Sequence, residues 1–140
     1  MSIAQTATNE FKTGLMNGTF DFSTDTFNIA LYTAQASLDA TTSAYTSASE
    51  AVASGYTAGG QALTVTVTPT TGDTGTTAYI SFANVEWTAA LTARAALIYR
   101  VGGGNPTVCV LDFGSDKTST TTFTVQFPAA TNTSAIIRIV

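Results

Sequence analysis

The chain has 140 residues, of which 44% are hydrophobic and 10% charged, so length and composition predict one folded domain, residues 1–140, with its own core. Nine acidic against five basic residues give a formal net charge of −4, a poor match for the phosphates of nucleic acid. With no histidine and one cysteine, the sequence excludes Ser-His and Cys-His catalytic pairs and an internal disulfide. We therefore expect no enzymatic activity, no cofactor and no metal site.

The first segment predicts a short helix over residues 3–17. Thr6 or Thr8 would cap its start, and Asn17-Gly18 is a typical stop because glycine accepts the left-handed conformation that ends a helix. Four apolar residues at four-residue spacing would form one stripe: Ile3, Ala7, Phe11 and Leu15. The segment has neither the basic start nor the apolar run of a signal peptide, and no stretch is long enough to span a membrane, so we expect no membrane partner.

From about residue 26 the apolar period changes to two, which predicts strands. Their polar positions are rich in threonine, whose branched Cβ suits a pleated strand. A glycine-rich turn between Arg100 and Thr107 predicts a hairpin. The pattern favours a mainly β fold over residues 26–140, an antiparallel β-sandwich (jelly-roll or Ig-like) of about 7–8 strands behind the N-terminal helix.

A long segment, residues 34–61, interrupts these strands and is rich in alanine, serine, threonine and glycine. A loop of this length inside a compact domain is uncommon and is often functional. Tyr45 and Tyr56 are its best anchors and are candidates for contact with a partner.

The strand predicted at about 91–101 carries Arg94 and Arg100 on one face, since residues six apart in a strand point the same way. Ala96 and Ile98 lie between them, while the opposite face is apolar and would form the core. An apolar face with two guanidinium groups suits a protein–protein interface. The alternative is a solvated face whose arginines pair with local carboxylates.

Three further features each have two interpretations. Trp87 and Tyr99 would form a sugar-binding platform or, alternatively, belong to the core. Cys109, in an apolar run, is expected to be a buried hydrophobic residue rather than a reactive thiol. Residues 134–140 are apolar enough to aggregate if frayed, so we expect them to pair in a sheet, within the subunit or against a neighbour.

Several segments, in their order and spacing, together resemble a family of small virion proteins of tailed bacteriophages. The resemblance covers about residues 10–139 and rests on DTFNIALYT (25–33), TSAYT (42–46), GYTAGG (55–60), TARAALIY (92–99), LDFGSDK (111–117) and FTVQFP (123–128). It implies a structural protein of the virion, assembled in the cytoplasm of the bacterial host, and it implies no catalytic residues.

The function favoured by this resemblance is capsid decoration, or cementing: the domain would bind the outer capsid and stabilise contacts between capsomers. Its partners would be the major capsid protein and copies of itself, as a dimer or trimer. The alternatives are a tail, neck or fibre-associated component and a host-glycan-binding β-sandwich module. The candidate contact residues come from the helix, the long loop and the arginine face: Phe11, Leu15, Tyr45, Tyr56, Arg94 and Arg100.

Overall fold

A computed structural model describes residues 2–72 and 75–140 of the chain. The described part is mainly β, with one short helix and several antiparallel sheets, which confirms the predicted β-sandwich-like fold. Its elements, in chain order, are β1 (Thr6–Ala7), α1 (Asn9–Asn17), β2 (Phe27–Tyr32), β3 (Gln61–Ala62), β4 (Val65–Thr70), β5 (Ala78–Phe82), β6 (Val85–Trp87), β7 (Thr92–Arg100), β8 (Thr107–Thr118), β9 (Phe123–Val125) and β10 (Ile137–Ile139).

The largest sheet has five strands in the order β1-β8-β7-β2-β3. One of its faces packs against a three-stranded sheet, β10-β5-β4, and the two-stranded sheet β6-β9. Side chains such as Ile98, Phe82 and Trp87 meet in this main core, which Phe11 of α1 also joins. The predicted hairpin is present, because β7 and β8 pair antiparallel across the glycine-rich turn.

The second face of the five-stranded sheet is also buried. Residues 33–60, close to the predicted loop 34–61, lie between β2 and β3. The first part of this segment covers the second face through Ala36, Leu38 and Tyr45, whereas Ala51 and Tyr56 join the main core. On the second face, Leu38 packs against the sheet and forms an isolated bridge with Ile3. Strands β2 and β7 are therefore apolar on both sides, as expected for a sheet with a layer on each face.

The helix begins later than predicted: residues 3–8 are extended, and α1 starts at Asn9. Ala7 pairs with Cys109 on β8, and the Thr8 side chain caps α1 by accepting a hydrogen bond from the backbone N–H of Phe11 at 3.1 Å. A spacing of four puts residues on one face of a strand as well as of a helix, so the stripe alone did not separate the two. The predicted stop is confirmed, since Gly18 adopts a left-handed conformation with φ of 79°.

The segment 134–140 pairs within the subunit. Its strand β10 lies antiparallel to β5, with Arg138 opposite Tyr79, and forms an edge of the three-stranded sheet. The prediction of a paired strand is therefore confirmed for Ile137–Ile139. Within the described residues, no helix has the length and apolarity needed to cross a bilayer.

Candidate interaction surface

Two of the six candidate contact residues lie inside the subunit. Phe11 is 4% exposed, and its ring packs edge-on against Phe20, with the centroids 5.2 Å apart. Tyr56 is 9% exposed and tilts against the ring of Trp87. Both side chains stabilise the core and leave almost no surface for a partner, which corrects the expectation that they form contacts.

The proposed arginine face is also corrected. Ala96 and Ile98, which were expected between the two arginines at an interface, are fully buried in the main core. The β7–β8 register shifts between Ala93 and Ala95, where β8 carries the extra residues, and the Arg94 Nε lies 3.2 Å from a carboxylate oxygen of Asp112. Arg100 donates to the backbone carbonyl of Thr19. Both guanidinium groups therefore have local partners, but only Arg94 has the carboxylate partner that the alternative interpretation expected, and the face between them is core rather than solvated.

Burial also rules out the interpretation of Trp87 and Tyr99 as a sugar-binding platform. Trp87 is 2% exposed and Tyr99 is 4% exposed, so neither ring face is open for stacking on a sugar. Cys109 is buried, as predicted, and burial raises the pKa of its thiol to about 12. Such a thiol remains protonated and unreactive near neutral pH.

The long loop is held by a buried carboxylate, Glu50, which the sequence analysis did not select as a site residue. It is 7% exposed and accepts three hydrogen bonds. The Tyr45 hydroxyl donates to Oε1 at 2.6 Å, while the Tyr56 hydroxyl and the backbone N–H of Gly59 donate to Oε2 at 2.7 and 2.8 Å. These donors satisfy the carboxylate without a cation and join three points of residues 33–60.

The anchored loop is tied in turn to the five-stranded sheet. The Tyr56 hydroxyl accepts from the backbone N–H of Leu31 at 2.8 Å, and the Tyr45 ring stacks on Tyr99 with the centroids 4.9 Å apart. The Tyr99 hydroxyl donates to the Gly59 carbonyl at 2.6 Å. Burial and then the hydrogen bond to Glu50 raise the pKa of Tyr45 and of Tyr56 well above the usual value. Both predicted anchors thus hold the loop, although they do so from within.

Glycines explain the backbone path of the same segment. Gly60 has φ of 81°, and a Cβ there would overlap the carbonyl oxygen of Ile29. Gly55 has φ of 93°, and a Cβ there would overlap the carbonyl oxygen of Thr88. The segment GYTAGG (55–60) is therefore a structural motif that lets the loop approach its neighbours closely.

The most apolar exposed region lies where α1 ends beside β10. Leu15 is 37% exposed and Met16 83%, while Ile139 is 55% and Val140 96% exposed. Leu15 and Ile139 line the same two surface grooves, so the two elements present one surface. We call these four residues the α1–β10 patch: Leu15 and Ile139 share the grooves, and Met16 and Val140 are their neighbours in the chain. Clusters of exposed apolar side chains mark interaction sites.

Of the six candidates, Leu15 therefore belongs to the most plainly accessible apolar surface, and Tyr45 is half-buried at the edge of the loop. Met16 was not among the predicted contact residues, because it lies off the apolar stripe that contains Leu15. Within the described residues, no group of three or more metal-ligating side chains converges.

No protein-family model matches the chain, and comparisons with curated proteins and with solved structures found no match.

Proposed function

We propose that this chain is a structural protein of a tailed-bacteriophage virion that decorates the capsid. Its β-sandwich binds the outer shell and bridges neighbouring capsomers, with the major capsid protein and copies of itself as partners. The α1–β10 patch is the observation that carries the proposal, because a β framework that exposes an apolar surface is suited to attachment. The resemblance across residues 10–139 supplies the virion as its setting.

Attachment through this patch needs only a modest contact in each subunit. A standard interface buries about 1,200–2,000 Å² in total, and smaller contacts suffice when several act together. A subunit that touches two capsomers gains from this effect, because its second contact forms at a high effective concentration. Many symmetry-related copies then stabilise the shell without any single tight site.

A binding assay with shells depleted of this chain tests the proposal. We expect the purified protein to bind such shells and the variant Met16→Gln to bind at least about tenfold more weakly, since burial of a methionine contributes about 1.5–3 kcal/mol. Val52→Gln is the matched control, because Val52 is also exposed, at 95%, but lies in the long loop and lines a groove that contains no residue of the patch. Equal binding by Met16→Gln and the control would contradict attachment through the patch.

A further inference from the structure

A groove of about 360 Å³ separates two sheet edges beside the α1–β10 patch. Strand β1 forms one side as an edge of the five-stranded sheet, and β10 forms the other as an edge of the three-stranded sheet. Phe11, Leu15 and Ile137 supply apolar lining. A partner strand can add to such an edge through backbone hydrogen bonds, while apolar pockets receive its alternate side chains.

The charges around this groove are unlike those of the whole chain. Lys12 and Arg138 line it, and both are exposed. No carboxylate side chain from the described residues lines the groove, and neither cation lies within ion-pair distance of one. In a chain with nine acidic and five basic residues, this is a local reversal of sign. Charge complementarity therefore favours an acidic occupant.

A second copy of the chain fits this groove poorly. Symmetric antiparallel pairing of two β10 strands about their middle residue would place Arg138 opposite Arg138, and like charges directly opposite each other destabilise a sheet.

We propose that the groove between β1 and β10 binds an extended acidic segment of a different protein, which adds a strand to the edge of β10. Three residues of β10 span about 10 Å, so a short segment with alternating apolar and acidic side chains fills the site. Its apolar side chains contact the lining, and its carboxylates lie near Lys12 and Arg138. The inference rests on the proposed function in one respect: the protein that supplies this acidic segment would be a neighbour in the virus particle.

The probe is a capped heptapeptide of alternating valine and glutamate, titrated into the isotope-labelled full chain and followed by the NMR shifts of its backbone amides. A second peptide with lysine in place of glutamate is the matched probe. We expect the glutamate peptide to shift the amides of β1 and β10 and to bind about three- to tenfold more tightly than the lysine peptide, as two exposed ion pairs allow.

Charge reversal provides the decisive variant. In Lys12→Glu/Arg138→Glu the preference should invert toward the lysine peptide, and both sites are exposed enough for the fold to tolerate the change. Lys117→Glu is the control, since Lys117 is exposed and lies outside the groove. The inference is overturned if the two peptides bind equally, if the shifts lie elsewhere, if the double variant keeps the original preference, or if a self-associated dimer already occupies β10. Because the titration needs no shell, its failure is distinguishable from failure of the proposed function.

Discussion

Removal of the buried Glu50 carboxylate should destabilise the protein far more than removal of an exposed carboxylate. In Glu50→Ala, the buried Tyr56 hydroxyl loses its acceptor, as does the half-buried N–H of Gly59, while the half-buried Tyr45 can turn to water. An unsatisfied buried polar group costs about 1–3 kcal/mol, so two of them predict a loss of about 2–6 kcal/mol in the free energy of unfolding.

Urea unfolding followed by the fluorescence of Trp87 measures this loss, because Trp87 is the single tryptophan and is buried. Glu86→Ala is the matched control: Glu86 is exposed, and its substitution should change stability by no more than about 0.5 kcal/mol. A double-mutant cycle of Glu50→Ala with Tyr45→Phe should give a coupling energy of about 1–3 kcal/mol. Equal stability of the Glu50 and Glu86 variants, or zero coupling, would refute the anchoring role of Glu50.

Three other predictions concern pH, thiol reactivity and backbone strain. Burial holds the pKa of Tyr32 and of Tyr56 above the ordinary 10.0, so above pH 10 the folded state keeps their protons while the unfolded state loses them. The free energy of unfolding should therefore be unaffected below pH 10 and fall by about 1 kcal/mol per tyrosine between pH 10 and 11. Urea titration at a series of pH values measures this fall. Cys109 should resist a thiol reagent at neutral pH until the protein unfolds, and rapid labelling of the native state would show that it is accessible. Gly60→Ala should destabilise the protein more than Gly18→Ala in thermal melts. Both glycines have positive φ, which costs an alanine about 1–2 kcal/mol, but only Gly60 lacks space for a Cβ. Equal losses of stability would contradict the close approach of Gly60 to the backbone of Ile29.

The strands were predictable where period-two patterns were long. Strands β2 and β7 followed from them, but the pattern did not reveal which surfaces cover them. Ala96 and Ile98 were predicted at an interface, and their burial was not foreseen because the strands that cover them come from distant parts of the chain. Short strands such as β6 carry too few residues for a period to be read.

The residues that anchor the long loop could be predicted only in part from the sequence. Tyr45 and Tyr56 stood out as aromatic residues in a small-residue segment, and Glu50 lies between them without any periodic signal. The convergence of the three depends on turns that glycines such as Gly59 permit, and backbone turns of this kind have no simple apolar pattern. The available clue was that Glu50 is the one charged residue between Tyr45 and Tyr56.

A density map of intact particles that carry this chain is the most direct test of capsid decoration. We expect density for the chain on the outer shell between capsomers, in hundreds of copies per particle, with the α1–β10 patch turned toward the capsid. A chain found in about six or twelve copies at the tail or neck would contradict capsid decoration, and a chain absent from the particle would contradict a virion role altogether.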